Sequence, residues 1–251
     1  MKIIDVNQNN IEQEHICCAI TDKKGETSVS SKKTWLKDRF KDGLVFKKLD
    51  VRGKVFIEYI PAEKAWCPLI ADGYMFINCF WVSGQFKGQG YSNRLLEECI
   101  TDSKAKGRLG LTILSSTRKM PFLSDPKHLK YKGFLLADTA VPYFELYYLP
   151  FRDDAPVPRF KACVKEGKIK EPGMVLYYSN QCPHTDKYAP LINEIAGRHG
   201  LEVRLHRFET TEQAQNAPAP FTTYSFFYNG TFVTNEIFSG KKFEDFLSRI
   251  L

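Results

Sequence analysis

A glycine-rich loop lies between a long apolar segment and a helical segment in the first half of the chain. It reads Gly-Gln-Phe-Lys-Gly-Gln-Gly-Tyr-Ser over residues 84–92. Glycine tolerates backbone angles that other residues avoid, so Gly88 and Gly90 let backbone N–H groups turn toward a ligand. The following helix directs its free N–H groups and partial positive charge at the same point. The loop therefore predicts a pyrophosphate site, to which Lys87 adds a charge.

Three kinds of phosphate-binding loop compete for this segment. A P-loop requires a Lys-Ser/Thr pair at the start of the helix, and this loop lacks it. A dinucleotide-binding loop requires GxGxxG, and the glycines at 84, 88 and 90 have a different spacing. The third pattern, Q/R-x-x-G-x-G/A, holds the pyrophosphate of coenzyme A, and residues 85–90 match every fixed position. A plain glycine turn is the alternative without a ligand, and the strand–loop–helix context disfavours it.

Cys182 is the second candidate for chemistry. It follows an apolar segment and opens a helical one, with Pro183 at the first helical position. A helix N-terminus favours the reactive thiolate, and a protonated His184 would add to this effect. Thr185 stands where a CxxC motif has its second cysteine, so the pattern indicates a monothiol site. The alternative is a redox-silent domain with an incidental cysteine. Pro220 is a candidate for a cis proline facing Cys182.

Mixed strands and helices position the loop in the first half. The order predicts a mixed α/β domain, of the α+β type, and not a regular βαβ alternation. Strands are expected over residues 1–6, 44–50, 54–61, 74–83, 109–115, 134–137 and 143–149, and helices over 11–19, 30–41, 92–106 and 125–132.

A proline-rich, charged segment divides the chain. Residues 151–171 are expected to form a linker or a wrapping arm between domains at 1–150 and 172–251. The second domain follows the order βαβαββα, with the type I′ turn signal Asn229-Gly230 between its last two strands. Its strands are expected over 174–179, 202–208, 223–228 and 231–236, and its helices over 183–199, 211–216 and 241–251.

The composition is that of a globular protein. The chain has 251 residues, of which 43% are hydrophobic and 26% charged, and no apolar run reaches the roughly 18 residues of a membrane span. The start of the chain does not resemble a signal peptide, so a cytoplasmic protein without membrane partners is expected. Seven cysteines, with no pair at CxxC spacing, argue against a disulfide framework and a metal site.

The net charge of +7 is concentrated outside the second domain. Residues 172–251 carry seven basic and eight acidic side chains, so the rest of the chain is distinctly basic. This excess suits an anionic ligand, although a solvated lysine-rich surface explains it equally. The basic residues are scattered and no recognised motif is present, so a nucleic-acid partner is not expected.

Together these features resemble the GNAT superfamily of acetyl-CoA-dependent N-acetyltransferases. The long strand, the QxxGxG loop, the helix with Leu95-Leu96 and the later Gly133-Phe134 occur in that family's order. The second half, with Cys182-Pro183 and FFYNGTFVTNE, resembles the YoaP-type thioredoxin-like domain. The resemblance implies a GNAT-like mixed sheet with helices, followed by a smaller thioredoxin-like α/β domain.

The resemblance also implies how the cosubstrate acetyl-CoA is held. Backbone groups of Phe80 and Val82 would pair with the pantetheine arm like an added strand. The strands at 74–83 and 109–115 would separate to admit the thioester. Amides of the loop would hold the pyrophosphate, and these belong to Lys87, Gly88, Gln89, Gly90, Tyr91 and Ser92.

Direct transfer of the acetyl group to an amine requires two proton movements. Many family members carry a tyrosine as general acid four residues before the Gly-Phe pair, where this chain has Leu129, so Tyr131 is the substitute candidate. Glu58 lies in an apolar strand and is the candidate base, although an outward-facing strand residue is the simpler reading. Glu63, Asn78 or an ordered water are weaker alternatives.

The leading interpretation is an N-acetyltransferase acting on a primary amine of a small molecule or peptide, whose identity the sequence leaves open. The main alternative is a thiol-redox or thiol-binding protein that uses Cys182, with the first domain sensing acyl-CoA. A non-catalytic binding module is the third possibility.

Overall fold

A seven-stranded sheet organises the first half of the protein. The computed structural model describes residues 1–16 and 19–251. Cys17, Cys18 and part of the helix expected over 11–19 therefore lie outside the description, and residues 11–13 form turns. The strand order is β1-β2-β3-β5-β6-β8-β7. These strands are β1 (Ile3–Val6), β2 (Val45–Leu49), β3 (Val55–Pro61), β5 (Tyr74–Val82), β6 (Gly110–Ser116), β7 (Leu135–Ala140) and β8 (Phe144–Pro150).

Three helices cover the two faces of this sheet. They are α1 (Ser28–Phe40), α2 (Tyr91–Ala105) and α3 (Pro126–Tyr131). Strand alternation sends neighbouring side chains to opposite faces. Ile57 of β3 therefore packs in the cluster with Leu95 of α2, whereas Phe56 packs in the cluster with Leu36 of α1.

The segment between the halves is an arm packed along the protein. Its strand β9 (Arg159–Phe160) pairs with β4 (Leu69–Ile70), and the two form a separate small ladder. Phe160 and Val164 are buried. Near the end of the arm, the N–H of Ile169 donates to the carbonyl of Gly230. The sequence did not predict β4 or β9, because two residues are too few for a periodic pattern.

A four-stranded sheet with the order β11-β10-β12-β13 forms the second half. Strand β10 is parallel to β11 and antiparallel to β12, and β12 pairs with β13 through the expected Asn-Gly turn. The predicted order βαβαββα is confirmed. The elements are β10 (Met174–Tyr178), α4 (Pro183–Arg198), β11 (Val203–Arg207), α5 (Thr211–Gln215), β12 (Tyr224–Tyr228), β13 (Thr231–Thr234) and α6 (Gly240–Ile250).

The two halves share one hydrophobic core. A single cluster of buried side chains takes members from the first sheet, the arm and the second half, including Phe46, Phe56, Trp66, Phe144, Phe160, Val164, Val175, Phe208, Phe227 and Phe232. Polar contacts border it: the hydroxyl of Thr211 accepts from Trp66 Nε1 at 3.1 Å and from Arg39 Nη1 at 3.0 Å. The start of α4 lies beside α1, where the hydroxyl of Thr27 donates to the carboxylate of Asp186 at 2.8 Å.

Candidate active site

A gap opens between the two central strands of the first sheet. Strands β5 and β6 are parallel, and their ladder covers only four pairs, from Tyr74–Gly110 to Ile77–Ile113. Beyond Ile77, β5 stays paired with β3 on its other edge, across a bulge at Asn78. The expected separation of these two strands is thus confirmed in the ladder, and it leaves one edge of β5 without a strand partner.

The backbone groups on that free edge follow from strand alternation. The N–H of Ser83 donates to the carbonyl of Lys54 at 3.0 Å, so Ser83 points its backbone toward the β3 side. In an antiparallel ladder, every second residue directs both its N–H and C=O to the same side. The backbone N–H and C=O of Trp81 therefore also face β3, while the backbone N–H and C=O of Phe80 and Val82 face the gap. This is the orientation that pairing with an extended ligand requires.

The glycine loop lies directly after this edge. Gly88 (φ 76°) and Gly90 (φ 78°) both adopt left-handed backbone angles, and Gly90 caps α2. A Cβ atom at either position would meet open space, so the loop is not crowded by the protein. Among residues 1–16 and 19–251, no hydrogen-bond partner contacts the backbone N–H groups of 88–93. A run of free donors at a helix start fits the oxygen atoms of a pyrophosphate.

Phe86 anchors the loop, a role that the sequence did not indicate. Its ring is buried and lies so close to Gly53 that a Cβ there would be 2.3 Å from a ring carbon. The ring of Tyr91 contacts it edge-on at 6.4 Å between centroids. The side chain of Lys87 is exposed at the surface beside the glycines. Phe86 therefore anchors the first part of the loop, while Gly88 and Gly90 stay open.

Glu58 lies in a buried ion pair. Its carboxylate accepts from Lys32 Nζ at 2.7 Å and from Asn78 Nδ2 at 3.1 Å, and both charged side chains are 1% exposed. Lys32 also lies over the ring of Trp35, at 4.3 Å. The outward-facing reading of Glu58 is wrong, because its strand is covered by α1 on that face. Lys32 was missed because 26 residues separate the partners, and no local pattern connects them.

Three neighbouring residues of α3 occupy different environments at the far side of the gap. Tyr131 is 81% exposed, and the ammonium of Lys132 lies 4.9 Å from its ring centroid. Leu129 is buried in the core beneath α2. His128 is half-buried, and its ring centroid is 6.5 Å from that of Phe80. The geometry brings His128 to the gap and leaves Tyr131 in solvent, so it gives no support to Tyr131 as the proton donor.

Packing and hydrogen bonds close the start of α4 around Cys182. Cys182 caps α4 and packs, half-buried, against the core of the second half. Thr185 is fully buried, and its hydroxyl contacts the carbonyls of Ser179 at 2.6 Å and Cys182 at 2.7 Å. Burial, Lys54 and Lys187 lower the pKa of His184. The ring is therefore uncharged at neutral pH and does not assist the thiolate as a cation.

Two further expectations concern Pro220 and metal ions. The cis peptide bond in the described part of the chain is Val141–Pro142, so Pro220 is not a cis proline. Within the same residues, no cluster of His, Cys, Asp or Glu has the arrangement of a metal site. None of the described helices is long and apolar enough to cross a membrane.

Comparison with known proteins adds three findings. The family model described as YoaP-like matches residues 203–244. A Bacillus subtilis (strain 168) protein named "Uncharacterized N-acetyltransferase YoaP" is 43% identical over 250 residues, covering 100% of both chains. Among solved structures, a ribosomal-protein-alanine N-acetyltransferase from Brucella melitensis is 13% identical, with a TM-score of 0.43, over 60% of this chain and 100% of its own. A GNAT family acetyltransferase from the same organism, in complex with acetyl-CoA, is 15% identical, with a TM-score of 0.40, over 64% and 96%.

Proposed function

The chain belongs to the YoaP family of N-acetyltransferases, and from this premise we propose that it moves the acetyl group of acetyl-CoA directly to a primary amine. The acceptor is proposed to be a small molecule or a peptide. The cosubstrate would place its pantetheine arm along the free edge of β5 and its pyrophosphate on the amides of residues 88–92. The amide of Lys87, also expected there from the sequence, is not available, because its N–H donates to the carbonyl of Gly84.

The observation that carries the proposal is the continuity between gap and loop. The backbone groups of Phe80 and Val82 on the unpaired edge of β5 and the free N–H groups of 88–93 belong to one segment of the chain, and only the short 3₁₀ turn Gly84–Phe86 separates them. An extended amide-containing arm with a pyrophosphate at one end matches both parts at once. The excess of basic side chains in the first half favours a ligand with several phosphate charges.

Calorimetric titration of two glycine variants with acetyl-CoA tests this placement. Gly88→Val puts a branched side chain among the free N–H groups and should abolish measurable binding. Gly107→Val is the matched control, because Gly107 also has a left-handed φ (68°) and open space around it, but lies at the other end of α2. Unchanged affinity in a folded Gly88→Val protein, or equal loss in both variants, contradicts the proposal.

Glu58 is proposed as the group that takes the amine proton, directly or through a water. Its support is its position beside the bulge at Asn78, whose side chain donates to the carboxylate, and its contact with Lys32. Glu58→Gln should lower kcat with acetyl-CoA affinity unchanged. An unaltered kcat in the folded variant contradicts this role.

The second half is proposed to be a thioredoxin-like unit. The support is its strand order, with one parallel and two antiparallel pairs, and a helix that follows the first strand after a four-residue loop. Because Thr185 has no thiol, Cys182 would act alone in any thiol chemistry. Cys182→Ser should leave acetyl transfer intact, whereas the thiol-based alternative predicts that the variant loses a thiol chemistry that the wild type has.

A further inference from the structure

His128 lies beside the point where β5 and β6 are no longer paired. Ser124, just before α3, bridges Ser115 of β6, and the Ser115 hydroxyl donates to the Ser124 carbonyl at 2.7 Å. On the other strand, the imidazole of His128 lies 6.5 Å, between centroids, from the ring of Phe80 on β5. The segment is thus tied to β6 while its histidine contacts β5, which places the ring beside the space between the two strands.

That space is where the proposed function places the thioester. A thiolate leaves when the acetyl group is transferred, and a positioned acid that protonates it accelerates the step. We propose that His128 protonates this sulfur, an assignment that rests on the proposed function.

The proton balance of the step is complete. The amine nitrogen uses its lone pair to form a C–N bond to the acetyl carbon, and the C–S bond breaks with its electron pair on sulfur. The imidazolium of His128 gives its proton to that sulfur, which leaves as a free thiol. The proton of the amine passes to Glu58 or to water. The ring regains a proton from solvent, so it ends each cycle as it began.

The charged groups around His128 set its acidity. Burial and the ammonium of Lys132 lower the pKa of the ring below its ordinary 6.5, and Asp125 opposes them. The facing strand β5 presents the uncharged ring of Phe80. On β8, the hydroxyl of Tyr147 contacts the Glu145 carboxylate at 3.0 Å. A lower pKa makes the imidazolium a stronger acid and a rarer species at neutral pH.

These opposing effects predict a specific pH profile. The reaction requires a protonated ring and an unprotonated amine. At pH values between the pKa of the His128 ring and that of the amine, the protonated fraction of the ring falls about tenfold per pH unit, while the unprotonated fraction of the amine rises about tenfold. The wild type should therefore show a flat kcat/KM over that interval. His128→Phe should lose about a hundredfold in kcat, and its kcat/KM should rise about tenfold per pH unit.

The experiment uses the full chain, acetyl-CoA, and butylamine, glycinamide and a short peptide as amine probes. His199→Gln, an exposed histidine of the second half, is the matched control and should keep the flat profile. Acetyl-CoA affinity should stay within about twofold in His128→Phe, since the lost step follows binding. A flat profile in His128→Phe, or the hundredfold loss in Tyr131→Phe instead, overturns the assignment.

A measurement without an acceptor separates this inference from the proposed function. The NMR signals of the His128 ring should shift on binding of coenzyme A and remain unshifted with desulfo-coenzyme A, which lacks the thiol. Equal shifts with both ligands overturn the assignment of His128 while leaving the cosubstrate site in place. If the wild type binds neither ligand, the proposed function fails and the assignment fails with it.

Discussion

Helices α2 and α4 each follow a strand through a loop, and their N-termini are built in opposite ways. The start of α2 is open: glycines occupy two of the three positions before it, and its amides have no partner within the described residues. The start of α4 is closed: Pro183 removes one donor, and the hydroxyl of Thr185 ties the first turn to the strand before it. The same local geometry thus serves ligand binding at one helix and packing at the other, and the residues around the cap decide which.

The largest expected effect comes from making the start of α2 resemble that of α4. The first turn of α4 contains Asp186, which accepts a hydrogen bond from Thr27, whereas Tyr91–Arg94 in α2 contain no acidic side chain. Ser92→Asp should reduce acetyl-CoA affinity about a hundredfold or more through repulsion of the pyrophosphate. Thermal stability should be equal or slightly higher, because an acidic group suits a helix N-terminus. Calorimetry and thermal unfolding measure the two effects, with Ser92→Asn as the uncharged control.

The opposite pattern is expected at α4. Thr185→Val removes a buried hydroxyl that contacts two carbonyls, so the free energy of unfolding should fall by about 1–3 kcal/mol. Acetyl-CoA affinity should not change, because this cap contributes nothing to the open site. Denaturant unfolding provides the measurement, and Thr185→Ser, which keeps the hydroxyl, should retain most of the stability. A binding defect in folded Thr185→Val would break the comparison between the two helix starts.

A smaller effect is expected in thiol reactivity. Cys182 lies at the start of α4, and a helix N-terminus favours the thiolate. Burial raises the pKa of Cys67 and Cys99, and a weaker burial effect raises that of Cys163 at the surface. Limited alkylation of the native protein, followed by mass spectrometry, should therefore label Cys182 first. Faster labelling of any other cysteine, or labelling of Cys182 only after unfolding, would show that the closed start of α4 also makes the Cys182 thiol unreactive.

The smallest effect concerns the stability of α4 at low pH. The pKa of His184 is lowered in the folded protein, so the unfolded chain takes up the proton first as the pH falls below 6.5. The contribution of the uncharged His184 ring to the free energy of unfolding is fully present above pH 6.5. It is lost as the pH falls toward the pKa that the ring has in the folded protein. Denaturant unfolding at pH 7.5 and 5.5 should show a smaller pH-dependent loss in His184→Gln than in wild type.

The open helix start was predictable from the sequence because everything it needs is local. Gly88 and Gly90, the apolar strand before them and the helical pattern after them are contiguous, and the strand–loop–helix geometry follows from short-range preferences. The strand and helix order of the second half was predictable for the same reason. In the first half, the helix expected over 11–19 is wrong at residues 11–13, which form turns, and β4 was missed. Boundaries shifted by up to three residues, as at Ser28 instead of Ser30 for the start of α1 and at Ala140 instead of Ala137 for the end of β7.

The proton-transfer groups were not predictable to the same degree, because their environments are long-range. The burial of Glu58 depends on Lys32 in a helix that precedes it by 26 residues and packs across its strand. His128, Leu129 and Tyr131 are separated by one or two positions in the chain, yet one contacts the gap, one lies in the core and one lies in solvent. Only the packing of α3 against the sheet distinguishes them, and that packing follows from the whole fold.

The core shared by the first sheet, the arm and the second half has a consequence for how this protein can be divided. Phe144 and Trp66 belong to the same buried cluster as Phe227 and Phe232, so removing residues 172–251 would expose aromatic surface of the first half to water. The two halves should therefore melt in one cooperative transition. A protease cut within the arm would leave both fragments associated. Mutations on the two sides of this core are consequently constrained together, and neither half can be transplanted as an independent module without rebuilding the surface it loses.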